Sequence, residues 1–162
     1  MLRWSGVSDF AQSPDGHRRS LSKRHANANR ARFKSVNASS DWPRNRLLLA
    51  LPSRNLKQLM PELEQIRCQR AQVLMDADSA LDHVFFPDSG VVSVVAVYAD
   101  GSIIEMATIG REGCSGVQAI LGGKRSSAQL LVQIPGTAAK MSRAAFTRAM
   151  RSMPSFRSLM DA

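Results

Sequence analysis

Val91-Val92-Ser93-Val94-Val95-Ala96-Val97-Tyr98-Ala99-Asp100-Gly101-Ser102-Ile103-Ile104-Glu105-Met106-Ala107-Thr108-Ile109 reads as two strands and the turn between them. Its β-branched side chains are stiff at χ1 and pack well on a pleated surface. Asp100-Gly101 tolerates positive φ, which predicts a two-residue hairpin loop. Upstream, Leu63–Cys68 alternates, Gln72–Met75 is a brief apolar run closed by Asp76-Ala77-Asp78-Ser79, and Leu81–Phe86 leads into the turn Pro87-Asp88-Ser89-Gly90. Downstream, Gln129–Ile134 and Thr137–Met141 flank Pro135-Gly136, whose chemistry suits a type II turn. Short strands at regular intervals with turn signals between them predict a sandwich or a closed roll.

Short helices flank the strands. Arg46–Leu51 is apolar and stopped by Pro52, and Ser53 is placed to cap a second helix carrying Leu56, Leu59 and Met60 on one face. Beyond the last strand, Ser142 caps a helix with Ala145, Phe146, Ala149 and Met150 on one face, which Pro154 breaks. Phe156, Leu159 and Met160 begin another. The fold class is therefore mainly β with flanking short α-helices.

The chain has 162 residues, 44% of them hydrophobic, which suits one domain and a tail. Its charge of +9 is uneven. Residues 1–45 hold nine Lys/Arg against three Asp/Glu, and residues 46–162 hold thirteen against ten. Residues 1–42 are rich in Ser, Asn and Arg with no sustained period, so they read as a disordered basic tail, and residues 43–162 as the folded domain. The run His17-Arg18-Arg19-Ser20-Leu21-Ser22-Lys23-Arg24-His25 suits sequence-independent contact with phosphates; a solvated tail, translated upstream sequence and an organelle transit peptide also remain open. No apolar stretch approaches the ~20 residues that a membrane helix needs. Two distant cysteines, Cys68 and Cys114, point to reduced thiols in a cytoplasmic protein.

One segment differs from the rest. Residues 110–128 hold five glycines, so the backbone there turns tightly and admits a ligand closely. Val117–Leu121 is long enough for a turn of helix whose free N–H groups, with Arg125, Ser126 and Ser127 nearby, make an anion site. A plain connecting loop fits the same residues.

From Asn45 to about Met160 the chain resembles the cyclic-nucleotide-binding domain of Crp/Fnr-type regulators. The runs that carry the resemblance are Asn45-Arg46-Leu47-Leu48-Leu49-Ala50-Leu51-Pro52, Val84-Phe85-Phe86-Pro87-Asp88-Ser89-Gly90-Val91-Val92-Ser93 and Ile109-Gly110-Arg111-Glu112-Gly113. The resemblance implies a β-roll of jelly-roll type, with residues 110–128 as its phosphate-binding cassette. Gly116 falls on the glycine that starts the cassette helix, but Val117 stands where nucleotide-binding members carry the ribose-binding glutamate. Ser126-Ser127-Ala128 falls on their Arg-Ser/Thr-Ala motif, which leaves Arg125 one position early. Losing the carboxylate costs about 1–3 kcal/mol of ligand pairing, so the departures argue against ordinary cyclic AMP. The candidate ligand residues are Gly116, Val117, Arg125, Ser126 and Ser127.

The resemblance implies a non-catalytic effector sensor that passes ligand state through its C-terminal helix. A ligand-less interaction module, a fragment of a longer regulator and non-specific nucleic-acid binding through the tail remain the alternatives. The family's dimerisation helix would begin where the sequence ends, at Ala162, so specific DNA binding is expected only of a form that carries a helix-turn-helix. Self-association stays open. Two cysteines do not supply an iron–sulfur cluster, and His83 alone in the strand region reads as an ordinary strand residue rather than a haem or metal ligand. Neither a metal-dependent nor a Ser-His-Asp enzyme is expected from so few histidines.

Overall fold

The computed structural model describes residues 33–37, 41–98, 100–116, 126 and 128–161. Two short helices come first, α1 (Arg46–Leu49) and α2 (Ser53–Leu59), then a 3₁₀ turn at Met60–Glu62. Seven strands follow: β1 (Leu63–Cys68), β2 (Val73–Met75), β3 (His83–Pro87), β4 (Val91–Val97), β5 (Ile103–Ile109), β6 (Gln129–Ile134) and β7 (Gly136–Ser142). Helices α3 (Arg143–Ser152) and α4 (Pro154–Met160) close the chain. The strands form two antiparallel sheets, ordered β1-β7-β3 and β2-β6-β4-β5. Among the described residues no helix is long and apolar enough to cross a membrane.

Strand β3 is buried on both faces, which explains why it reads as a nearly unbroken apolar run. Phe85 and Ala138 face the other sheet and join Ile66, Leu74, Val92, Leu130 and Val132 inside the roll. Val84, Phe86, Ala139 and Met141 face the opposite way and pack against Leu48, Leu59, Phe146 and Phe156 of the helices. The rings of Phe146 and Phe156 meet edge-on, 5.2 Å apart at 71°. Ser142 caps α3 as its sequence predicts, accepting from Ala145 N at 3.1 Å. Ser53 does not cap α2: Pro52 occupies that place and offers no side-chain bond.

Two turns differ from the sequence expectation. The β4–β5 loop closes one residue wider than two, because Tyr98 N donates to Ser102 O and Gly101 N donates back to Tyr98 O. Gly101, at φ +82°, takes the left-handed place at the end of that turn. Pro135-Gly136 makes no type II turn, because Gly136 does not take the positive φ that such a turn needs; the chain crosses there from one sheet to the other. Gly136 is glycine for a different reason. A Cβ on it would collide with the carbonyl of Ser89, and one on Gly90 with that of Ile134.

The tail boundary also moves. Residues 33–37, assigned to the disordered segment on composition, lie along the free edge of β1. Ser35 bridges antiparallel to Ile66, with Val36 N donating to Gln65 O and Arg67 N donating to Lys34 O, both at 3.0 Å. Composition missed this because one aromatic, Phe33, and an unpaired strand edge suffice to hold five residues.

Asn45 and Asp88, both buried, join the helices to the sheet. Asp88 accepts from Trp42 Nε1 (2.8 Å), Arg44 N (2.9 Å) and Asn45 N (3.2 Å). Asn45 caps α1 through its carbonyl oxygen and donates through Nδ2 to Pro87 O and Gly113 O, each at 2.9 Å. Replacing Asn45 with Ala removes a cap worth about 1 kcal/mol and leaves two carbonyls unpaired at about 1 kcal/mol or more each. Urea unfolding of Asn45→Ala should therefore show a loss of about 3 kcal/mol. Leu49→Ala, on the same helix but 55% exposed, should stay within about 0.5 kcal/mol of the parent.

Candidate functional site

The segment entering the glycine-rich cassette is held from two sides. From the helical side, Asn45 Nδ2 grips Gly113 O, and Arg46 N donates to Arg111 O at 2.6 Å. From the sheet side, Phe85 and Ser115 exchange both backbone bonds, at 2.8 and 3.0 Å, forming a one-residue bridge outside the regular strands. The turn between them is local: Gly113 N donates to Gly110 O, and Gly110 N donates to the Glu112 carboxylate at 2.8 Å. The backbone amide of Glu112 itself and then that of Gly110 hold the exposed Glu112 carboxyl below its usual range, with Arg46 and Arg111 assisting.

Gly116 follows at φ +90°, and a Cβ there would sit 2.7 Å from His83 O. Both conformation and space demand glycine, which agrees with its place at the start of the cassette. At the exit, Ser126 is buried and exchanges backbone bonds with the loop before β3: Ser126 N donates to Ser79 O and Asp78 N donates to Ser126 O. Its hydroxyl donates to Ala128 O and accepts from Ala128 N. Ser126, read from sequence as a hydroxyl donor to a ligand, thus spends that hydroxyl on its own backbone and anchors the loop's exit. Val117, Arg125 and Ser127 lie outside the described residues. The structure therefore fixes both ends of the cassette on one end of the roll.

The cysteines are poor nucleophiles and poor ligands. Burial pushes the Cys114 thiol up to about 11, and burial with the nearby Asp88 charge does the same to Cys68. Among the described residues no group of three or more His, Cys, Asp and Glu is arranged to hold a metal ion.

A second polar cluster escaped sequence reasoning because its members are scattered along the chain. Glu64, Lys140 and Phe85 pair in one row across β1, β7 and β3 on the face that continues the roll interior, with His83 two residues before Phe85. Lys140 Nζ lies 2.7 Å from Glu64, Ser35 donates its hydroxyl to Glu64, and Phe33 covers the row. The only sequence signal was the two-residue spacing of Phe33 and Ser35 within a polar stretch.

A family model described as "Cyclic nucleotide-binding domain" matches residues 65–153. No curated protein matches the chain. Among solved structures, a cyclic nucleotide-binding domain from Methylobacillus flagellatus superposes with a TM-score of 0.66 at 15% identity, covering 80% of this chain and 77% of its own. The N-terminal domain of a transcriptional regulator from Streptomyces coelicolor gives 0.59 at 15% identity, over 72% and 84%. The c-di-GMP-responsive global regulator of Xanthomonas campestris gives 0.60 at 11% identity, over 68% of this chain and 56% of that one. At such identities the likeness speaks for the fold alone. With two sheets rolled around one core, a clamped glycine-rich cassette and a family model spanning more than half its residues, the chain belongs to the cyclic nucleotide-binding domain family.

Proposed function

We propose that this chain is the effector-sensing module of a Crp/Fnr-type transcription regulator, without catalysis of its own, working in the cytoplasm. One observation carries the reading. The cassette entry is bonded at once to the helical side, through Asn45 and Arg46, and to β3, through Phe85. The reverse face of β3 packs its Phe86 in the same core as Phe146 and Phe156 of the C-terminal helices. A ligand that orders the cassette thereby favours one packing of α3 and α4 over another, which is a population shift rather than a push. Its reach is set by its differential affinity for the two packings.

The ligand is a small anionic effector. In this reading Gly116 and Val117 offer backbone amides, Arg125 and Ser127 meet the anion, and Ser126 holds the loop in place. Val117 offers no carboxylate to a ribose hydroxyl, which turns the proposal away from ordinary cyclic AMP. A second reading, an interaction module or self-associating domain that binds no ligand, is favoured by the β4–β5 hairpin. Its Val97, Tyr98, Ile103, Ile104 and Met106 are all exposed.

Thermal unfolding of the full chain with cyclic AMP, cyclic GMP and cyclic dinucleotides tests the first reading. A ligand at a hundred times its Kd adds about 2.7 kcal/mol, a rise in Tm of at least ~4 °C for a domain of this size. The shift should appear with an effector other than cyclic AMP and vanish in Arg125→Ala. A cooperatively folded protein that responds to none of these would favour the interaction module. Gly116→Ala should abolish the same shift and also lower basal stability, by about 1–3 kcal/mol, because its backbone is strained as well as crowded.

A further inference from the structure

We propose that residues 33–37 form a strap that is closed over the roll at neutral pH and released by mild acid, with His83 as the group whose protonation opens it. This goes beyond effector sensing and requires no effector.

The strap is held by three kinds of contact. Its backbone pairs with the free edge of β1 through Val36 and Lys34, around the Ser35–Ile66 bridge. Its Ser35 hydroxyl donates to Glu64, which also pairs with Lys140. Its one anchor in the core is Phe33, which packs against the roll interior. The Phe33 ring sits 5.7 Å from that of Phe85 and 6.3 Å from the His83 imidazole, with Lys140 Nζ 4.9 Å from its centroid. Imidazole and Phe85 ring are themselves 6.3 Å apart. His83 is therefore one wall of the aromatic seat.

Among the described residues, the charged groups around that wall come from β7, β1, the loop before β3 and the strap itself. Lys140 of β7 already places one cation against the Phe33 ring, a favourable contact. A proton on His83 would add a second cation beside the first, in a seat that the strap shields from water. Burial first, and the Lys140 ammonium second, press the imidazole below its ordinary value, while the carboxylates of Asp82, just before β3, and Glu64 of β1 offset part of this. Lys34, on the strap itself, is exposed. With the strap lifted, His83 regains water and titrates nearer the ordinary value of about 6.5.

The sign follows from linkage. The closed strap prefers neutral His83, so its closure is intact above the open-state pKa and weakens as pH falls from about 6.5 through the lower closed-state value. Glu64 acts in a separate window. Burial raises its carboxyl, but the Lys140 and Ser35 hydrogen bonds and the Lys140 charge outweigh that and bring it below its usual value. Its contribution is present above about 4.5 and lost only in stronger acid. Among the described residues around the strap, His83 is the group that changes between pH 7.5 and 5.5.

Opening would uncover the β1 edge. It would also lift Phe33 from Phe85, the residue whose backbone clamps Ser115 at the cassette entry.

Amide hydrogen exchange by NMR on the full chain, corrected for the intrinsic pH dependence of exchange, tests the proposal. At pH 7.5 the Val36 and Arg67 amides should be protected. At pH 5.5 their protection should fall severalfold, toward tenfold for each unit separating the two pKa values of His83, while β7 amides such as Ala139 hold theirs. In Phe33→Ala, His83 should titrate at a higher pH than in the parent. His83→Gln should keep the strap protected at both pH values, and Glu64→Gln should keep the acid response. The proposal is overturned if Val36 and Arg67 are unprotected at pH 7.5, if His83→Gln loses protection as the parent does, if Phe33→Ala leaves the titration unmoved, or if β7 opens together with the strap.

Discussion

The Asn45–Asp88 pair is the constraint on which the rest of the molecule depends. Asp88 sits in the turn after β3 with its carboxylate buried, and three N–H groups from residues 42–45 converge on it. Asn45 uses its amide in both senses, accepting from the first turn of α1 and donating to Pro87 and Gly113. Helix start, sheet turn and cassette entry thus share one hydrogen-bonded knot. In a buried site such a network gives rigidity only when every member is satisfied. With the cassette fastened there, motion at Gly113 and motion of the helical layer are not independent.

Much of the fold was legible because its signals are local. The β-branched run at Val91–Val97, the apolar strand before Pro87 and the Ser142 cap each follow from a few adjacent residues, and each appears where the sequence places it. What could not be read depends on neighbours distant in the chain. Pro135-Gly136 has turn chemistry, yet the chain crosses between sheets there, packed closely against Ser89 and Gly90, some 45 residues earlier. Residues 33–37 pair with the edge of β1 and set Phe33 against Phe85, and neither partner is written near Phe33.

The candidate site divides along the same line. The three runs that carried the family resemblance, around Asn45, Asp88 and Gly113, turn out to be the members of the buried knot. The resemblance therefore rested on the residues that hold the cassette rather than on those that would meet a ligand. Gly116 was legible from the motif and has a steric reason to be glycine. The role of Ser126 was not, because a serine hydroxyl bonded to its own backbone and one aimed at a ligand look alike in sequence.

Adjacent Ala138 and Ala139 have a wider consequence. Both are fully buried, one facing the roll interior and the other the helical layer, on the middle strand of the three-stranded sheet. A larger side chain at either position would have to be absorbed by the core it enters, and strand β7 cannot retreat without pressing on the other core. Their evolution is therefore coupled through the thickness of a single strand. A gain of volume at 138 presses on the core that holds Phe85 and Ile66, and one at 139 on the core that holds Phe86 and Phe146. These two small residues divide the routes by which the sequence can diverge, so the roll and the helical layer would drift separately while the strand between them stays nearly fixed.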